Sequence, residues 1–422
     1  MIQTLKKRRL TTLYGVLFLT SQLLTSQSAA WADDAATIVD LKARLAKVER
    51  DVDQLTDSGS KEMTETGIPL HGFADVGYGR SSNDETRLDQ AGKGFWANSL
   101  DFYLTPQFTD KSKALIELIF EFAPDGSLST DLERIQFGHI FNDQLTVWLG
   151  RFHAPYGYWN TGFHHGAEIQ TSLQRPRFID FEDKGGLMPA HVMGAWATGA
   201  VPMGGAKLTY DAYVGNGNAI DFKTSLDPLE PPARGSLAIN NSRDSNSNSL
   251  VGGSVGYQIG GLIVGAHGFS QRVNLRDANP TPLATGEISV KMTGLYGFYE
   301  DDVWESIAEY YRFKNEDLTP AQSGSHSSWL GFAQLGYAVG NDWMPYVRVE
   351  KGSLDQLDPY FARQEFGVSY QRQVLGVRYT LNPKGVIKLE LNRTKEKESF
   401  IPAAGPGNGK YSEARVQYAI RF

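Results

Sequence analysis

From residue 70 onwards, hydrophobic and polar residues alternate along the chain with a period of two. Between residues 114 and 122 every even position is apolar, whereas the odd positions include Glu117 and Glu121. The segments 206–214 and 386–392 show the same alternation. Successive side chains of a β-strand point to opposite faces, so this period predicts strands. It fits both a soluble sandwich and a membrane barrel, because the strands of each have one apolar face.

The connections between the strands separate these two possibilities. We expect about sixteen strands, near residues 70–80, 95–108, 112–122, 131–141, 145–151, 191–200, 206–214, 249–258, 261–272, 286–299, 303–315, 327–340, 343–351, 373–381, 386–394 and 412–422. Tight links such as Asn142-Asp-Gln and Gly260-Gly261 alternate with long polar links. Outer-membrane barrels alternate short periplasmic turns with long external loops in this way. The pattern therefore predicts an all-β fold, a transmembrane antiparallel β-barrel over residues 70–422 with both of its ends in the periplasm.

The last strand carries a separate signal. Tyr418, Ile420 and Phe422 alternate with polar residues, and the sequence stops on an aromatic side chain. This resembles the terminal strand by which the outer-membrane assembly machinery recognises its clients. We therefore expect that machinery, together with outer-membrane lipid, among the partners of the protein.

The N-terminal residues have the composition of an export signal. Lys6, Lys7, Arg8 and Arg9 precede an apolar run from residue 10 to about residue 24, and Ala30-Trp31-Ala32 offers a cleavage site. The run is short and interrupted, which disfavours the alternative of a retained membrane anchor. We expect residues 1–32 to be a signal peptide, removed during export to the Gram-negative cell outer membrane.

Residues 33–58 show a different period, which predicts a short helix in the periplasm. Their apolar residues step by three and four, as in a coiled coil, at positions Ile38, Leu41, Leu45, Val48, Val52 and Leu55. We expect this helix to join identical subunits into a trimer, with residues 59–69 as a linker. A lone amphipathic helix lying on a domain is the alternative, because only about two and a half heptads are present.

Composition and charge narrow the function classes. The chain has 44 Gly, 22 Phe, 19 Tyr and no Cys, so no disulfide can stabilise an exported fold, whereas a closed sheet can. The formal net charge is −7, and loss of the four signal-peptide cations makes it −11. A negative balance argues against nucleic acid or anionic lipid as a partner.

Residues 152–190 stand out because they contain no strand pattern, and a loop of this length inside a compact domain is usually functional. By the alternation of connections this is the third external loop, which in sixteen-stranded porins folds inward and narrows the channel. A channel constriction selects solutes through the charges that line it. We expect the constriction to be formed by His164, His165, Glu168, Arg175, Arg177, Asp180, Glu182, Asp183 and Lys184.

Two other interpretations of this loop stay open. Its charges are either merely solvated or pair locally, with Arg175 or Arg177 on Asp180 or Glu182, to hold the loop in shape. A metal site at His164-His165 is disfavoured, because adjacent residues seldom converge on one ion and no third ligand is evident. We therefore expect no metal and no cofactor.

Strand parity assigns further charged residues to the lumen wall. The inward positions predicted in this way are Glu117, Glu121, Arg134, Arg348, Glu350, Arg378, Lys388, Glu390, Arg415 and Arg421. The parity of the strand near 303–315 is ambiguous, which leaves Glu305, Glu309, Arg312 and Lys314 unplaced. The predicted lining mixes both signs of charge.

Three short motifs resemble the phosphate-selective porin (O and P) family. They are Gly150-Arg-Phe-His-Ala-Pro-Tyr-Gly, Tyr213-Val-Gly-Asn-Gly and Val377-Arg-Tyr-Thr-Leu-Asn-Pro-Lys-Gly. The resemblance implies a trimeric sixteen-stranded channel with an inward third loop, and the N-terminal helix is similar to that of the dicarboxylate-channel (DcaP-like) relatives. Phosphate selectivity in the family depends on arginine ladders and lysine rings, and this chain shows no comparable excess of cations.

These observations together predict a porin and not an enzyme. Its water-filled channel would pass small polar or charged solutes by passive diffusion, with anions such as phosphate or dicarboxylates among the candidates. One alternative is a structural barrel that tethers the envelope through its helix. Another is an outer-membrane hydrolase, for which His139 would supply the base, although no G-x-S-x-G motif accompanies it.

Overall fold

The computed structural model describes residues 70–82, 93–122, 126–163, 167–180, 186–223, 234–238, 248–279, 283–319, 324–397 and 410–422. The expected signal peptide, the six apolar positions of the trimerisation helix and the linker lie outside these residues. Among the described residues, no helix is long and apolar enough to cross a membrane.

A single β-sheet closes on itself. Its strands are β1 Leu70–Ser81, β2 Lys93–Leu104, β3 Gln107–Thr109, β4 Ser112–Phe122, β5 Leu128–Asn142, β6 Leu145–His153, β7 His191–Met203, β8 Ala206–Asn216, β9 Ala219–Phe222, β10 Ser236–Ala238, β11 Ser249–Ile259, β12 Leu262–Asp277, β13 Leu283–Glu300, β14 Trp304–Asp317, β15 Gly324–Tyr337, β16 Trp343–Ser353, β17 Tyr370–Asn382, β18 Gly385–Glu396 and β19 Lys410–Arg421. Strand β1 pairs with both β2 and β19, so the sheet has no free edge.

Sixteen antiparallel strands form the barrel, as the sequence predicts. The short β3 continues the line of β2 beyond Pro106, whereas β9 and β10 lie in the connection between β8 and β11. Closure matters in a membrane, because lipid offers no hydrogen bonds to unpaired backbone groups. In this fold the closed ladder of hydrogen bonds between strands satisfies those backbone groups. The ladder stabilises the barrel, which has no disulfides.

The two ends of the barrel differ in the length of their connections. Tight turns join β5 to β6, β7 to β8, β11 to β12 and β17 to β18, whereas residues 154–190 connect β6 to β7 at the opposite end. Gly260 in one tight turn has φ +54°, a left-handed conformation that glycine adopts without strain. The predicted alternation of short and long connections is confirmed.

The strands have an apolar outer face and a polar inner face. On β18 and β19 the exposed side chains include Leu389, Leu391 and Val416, whereas the intervening Glu390 and Arg415 are buried. Exposed apolar residues recur around the barrel, as expected for a wall that contacts lipid chains. The assembly-signal residues Tyr418, Ile420 and Phe422 occupy positions of this outer face.

Candidate channel constriction

The connection between β6 and β7 packs against distant strands of the barrel wall. We call its described residues, 154–163, 167–180 and 186–190, the inner loop; they include helix α1, Trp159–Gly162, and a single 3-10 turn, Arg177–Ile179. Carboxylates from three strands accept hydrogen bonds from its backbone. Glu309 Oε1 on β14 accepts from the amides of Tyr158 and Trp159, each at 2.7 Å. Glu390 on β18 accepts from the Leu173 amide at 3.0 Å.

Aromatic packing holds the same loop against β13 to β15. Tyr158 stacks on Phe298 with ring centroids 4.1 Å apart, and Phe178 meets Tyr311 at 5.1 Å. Phe178 and Ile179 are almost completely buried. Burying one such side chain contributes roughly 1.5–3 kcal/mol, so a few of them fix the position of a long loop.

Two predicted constriction residues, Arg175 and Arg177, are buried in the docked loop. The Arg175 guanidinium donates to the carbonyl of Ile179 at 2.9 Å and to Asn160 Oδ1 at 3.3 Å. Arg177 forms an ion pair with Glu396 and is only 1% exposed. A buried guanidinium needs such partners to offset its desolvation. Both arginines therefore stabilise the docked loop, Arg175 through Asn160 and Ile179 of the loop itself and Arg177 through Glu396 of the wall.

The remaining predicted constriction residues divide into two groups. Glu168 lies between two wall arginines, with Arg378 and Arg421 each 3.8 Å from its carboxylate. Asp180 is partly buried in the loop. The others lie outside the described residues, namely His164, His165, Glu182, Asp183 and Lys184.

The predicted wall residues form ion pairs or contact the inner loop. Arg134 Nε lies 2.5 Å from Glu117 Oε2, and Arg348 Nε lies 2.9 Å from Glu350 Oε1. Arg415 pairs with Glu413 at 2.6 Å, and Lys388 donates to the loop carbonyls of Ala167 and Ser172. Glu121 is half-buried on β4.

The ion pairs around Glu117 and Glu168 expose their cations more than their anions. The Arg134 side chain is 25% exposed and its partner Glu117 only 1%. The Arg378 and Arg421 side chains are 22% and 52% exposed, whereas Glu168 is 7%. The arginine is therefore the more accessible partner in each of these pairs, although each carboxylate balances part of the charge.

Sequence parity missed several residues that hold the loop. Glu305 accepts from Thr171 Oγ1 at 2.7 Å, and Glu309 makes the amide contacts described above. Both lie on the buried side of β14, whereas Arg312 and Lys314 lie on its exposed side. Glu305, Ile307 and Glu309 share one face of β14, and the two acids on it were a usable signal that this face points inward. Ala308 and Tyr310 make the opposite face apolar as well, so the sequence left the assignment ambiguous.

Solved structures share this architecture. The anion-selective porin from Comamonas acidovorans has a TM-score of 0.53 and 14% sequence identity, over 84% of this chain and 99% of that chain. The Vibrio cholerae outer membrane protein OmpT, in-vitro folded and in a trimer form, gives a TM-score of 0.51 at 10% identity over 84% and 99%. Salmonella typhi OmpF in complex with daunomycin gives 0.51 at 11% over 84% and 97%.

The chain has the porin fold. At these low identities the likeness shows the fold alone. No protein-family model and no curated protein matches the sequence. The resemblance to the phosphate-selective porins therefore stays a prediction, carried by the three short motifs.

The porin fold brings one serine to the histidine considered for a hydrolase. Ser112 Oγ lies 3.1 Å from His139 Nδ1, and the two residues face each other across β4 and β5. In a Ser-His-Asp triad the serine contacts Nε2, while Nδ1 contacts the acid. The observed contact uses the other nitrogen, so the pair differs from the serine–histidine geometry of that triad.

Proposed function

We propose that the protein is an outer-membrane porin through which small polar or charged solutes diffuse passively. The observation that carries this proposal is the inner loop, which acids of β14, β16 and β18 hold against one side of a closed barrel. A loop that is only a surface connection has no need of such contacts. Docked in this way, it narrows the water-filled interior and sets which groups a solute meets.

We further propose that the passage prefers anions. Arg134, Arg378 and Arg421 are the more exposed partners of their ion pairs, and cationic rings favour anions in pores. Because Glu117 and Glu168 neutralise part of this charge, the preference should be modest. Phosphate and dicarboxylates fit this class of solute, in line with the family resemblance.

The test is the reversal potential of single channels in a salt gradient. Changing Arg134, Arg378 and Arg421 together to Gln should shift the permeability ratio severalfold towards cations. The matched control is R175Q, whose guanidinium bonds within the loop; its expected effect is on loop docking, seen as altered conductance or noise. An unchanged ratio in the triple variant would contradict the anion preference, and absence of any conductance in the native protein would contradict the channel.

We also propose that residues 33–58 join subunits into a trimer after signal-peptide removal. Support comes from the coiled-coil spacing and from the trimer form of the similarly folded Vibrio cholerae protein. Deleting residues 33–60 separates this proposal from the tethering alternative. A channel should keep its conductance per pore in the assemblies that survive, whereas a tether would lose its function in the envelope.

A further inference from the structure

The outer face of β13 to β16 ends in a cluster of cations near the long-loop end of the barrel. Lys291 on β13, Arg312 and Lys314 on β14, and Lys351 on β16 all occupy exposed positions. Lys291 lies directly opposite Lys314 in the strand register. Like charges facing each other across two strands are destabilising. An anion from outside the chain would relieve the repulsion between these two lysines.

The chain itself supplies little compensation on this face. The ion pair that the structure records there joins Arg272 to Glu287 at 3.3 Å. Within the described residues, Lys291, Arg312 and Lys314 form no ion pair, and the outward carboxylate on the same strand, Glu316, lies beyond them towards the loop. Lys351 Nζ lies 5.5 Å from the centre of the Trp329 ring, which places an aromatic side chain beside the cluster.

The height of the cluster matches a lipid headgroup. Outward positions of β14 begin with Trp304 beside the tight turn and continue with Ser306, Ala308 and Tyr310 before Arg312 and Lys314. At about 3.4 Å per residue and a tilt of about 40°, the cations lie roughly 20–26 Å above Trp304. This distance is about the height of the apolar band of an outer-membrane barrel.

A groove lies below the cations on the same strands. It has a volume of about 460 Å³, and Gly297, Ala308, Ala333 and Val349 line its floor in cross-strand register. A Cβ atom added at Gly297 would approach no other atom closer than 4.0 Å, so the depression is open. In a lipid environment such an apolar depression accepts a hydrocarbon chain.

From this juxtaposition we propose that the outer face of β13 to β16 binds an anionic lipid of the outer leaflet, whose headgroup carries phosphate without a compensating cation. Lys291, Arg312 and Lys314 hold the phosphate, Lys351 and Trp329 flank the headgroup, and the groove at Gly297 and Ala308 receives an acyl chain. We infer an anionic lipid because its negative charge complements the three cations of the site. A zwitterionic or neutral headgroup would leave the opposed lysines without a counter-charge. The site lies outside the channel and does not depend on the proposed solute.

The experiment uses the full mature chain in neutral detergent, with bound lipid counted by native mass spectrometry. The probes are dioleoyl phosphatidic acid and dioleoyl phosphatidylcholine, which share their acyl chains. The native protein should bind phosphatidic acid at least about tenfold more tightly, given about fivefold per surface cation. The triple variant K291Q/R312Q/K314Q should lose this preference. The matched control K111Q/K207Q/K384Q removes the same charge at the tight-turn end and should keep it.

A second variant tests the groove. Gly297→Phe fills it and should weaken both lipids severalfold, whereas Ala212→Phe on the outer face of β8 should not. Equal binding of the two lipids by the native protein, or an unchanged preference in the triple variant, would overturn the proposal. So would a change of oligomeric mass in G297F, because the face would then be a contact between copies of the chain. Single-channel conductance should be unchanged in K291Q/R312Q/K314Q. A loss of lipid preference in this variant would then be independent of the channel proposal.

Discussion

The two faces of β14 carry opposite charges and depend on different surroundings. The inner face presents Glu305 and Glu309, and groups of the inner loop bind both. The outer face presents Arg312 and Lys314, for which the described chain offers no ion-pair partner. Apolar residues occur on both faces. The comparison shows that alternation defines two faces of a strand, while the material covering each face decides which residues it tolerates.

The largest effect should come from removing an inner aromatic side chain of β14. Phe313 is fully buried and packs edge-on against Phe361 of the short helix α2, Pro359–Ala362, at 5.1 Å. Phe313→Ala should lower the free energy of unfolding by about 3–5 kcal/mol, since it opens a cavity. The measurement is urea unfolding in lipid vesicles, followed by tryptophan fluorescence. Tyr310→Ala on the outer face is the matched control, where lipid chains fill the space; an equal loss in both variants would contradict the comparison.

A smaller loss is expected from the inner acid. Glu309→Ala leaves the amides of Tyr158 and Trp159 without their acceptor, at a cost of about 2–4 kcal/mol. Because this cost falls on loop docking, the inner loop should become accessible to protease and the conductance should rise. Glu316→Ala removes a carboxylate from the outer face of the same strand and should change neither. Protease protection retained in E309A would show that aromatic packing alone holds the loop.

The strand pattern was predictable because alternation is local, and the structure confirms the sixteen strands and the order of short and long connections. The partners of the inner loop were not predictable in this way. Glu309 and Tyr158 are separated by 151 positions, and nothing in either segment records that they meet. The parity of β14 stayed ambiguous for a related reason, since Tyr310 and Tyr311 are both aromatic and only the docked loop distinguishes their faces.

The proposed lipid site departs from what net charge alone predicts. The predicted mature charge of −11 argued against anionic lipid, but that total adds residues that face different surroundings. Inward carboxylates such as Glu309 and Glu390 are shielded from the outer surface by the wall itself. The cations Lys291 and Lys314 lie on the outer face, so the local charge that a lipid meets has the opposite sign.

The smallest predicted effect concerns pH at the inner face of β14. Asp358, which precedes α2, accepts from Asn315 Nδ2 of β14 at 2.8 Å and from the Tyr360 amide at 3.0 Å. Burial raises the pKa of Asp358 to about 6, with His326 and Asp355 as the charged groups facing it. The folded state therefore binds this proton more tightly than the unfolded state. The resulting stabilisation is complete below about pH 4, is lost as pH rises to about 6, and stays lost above it.

Docking of residues 354–362 should accordingly weaken between pH 4.5 and 7.5. Hydrogen exchange of their amides, corrected for the intrinsic rate, should become faster by on the order of tenfold. Asp358→Asn keeps a cap on α2 and removes the titrating group, so its exchange should be slow and equal at both pH values. Glu365→Gln neutralises an exposed carboxylate of the same connection and should retain the native dependence. A pH dependence that persists in D358N would contradict its assignment to Asp358.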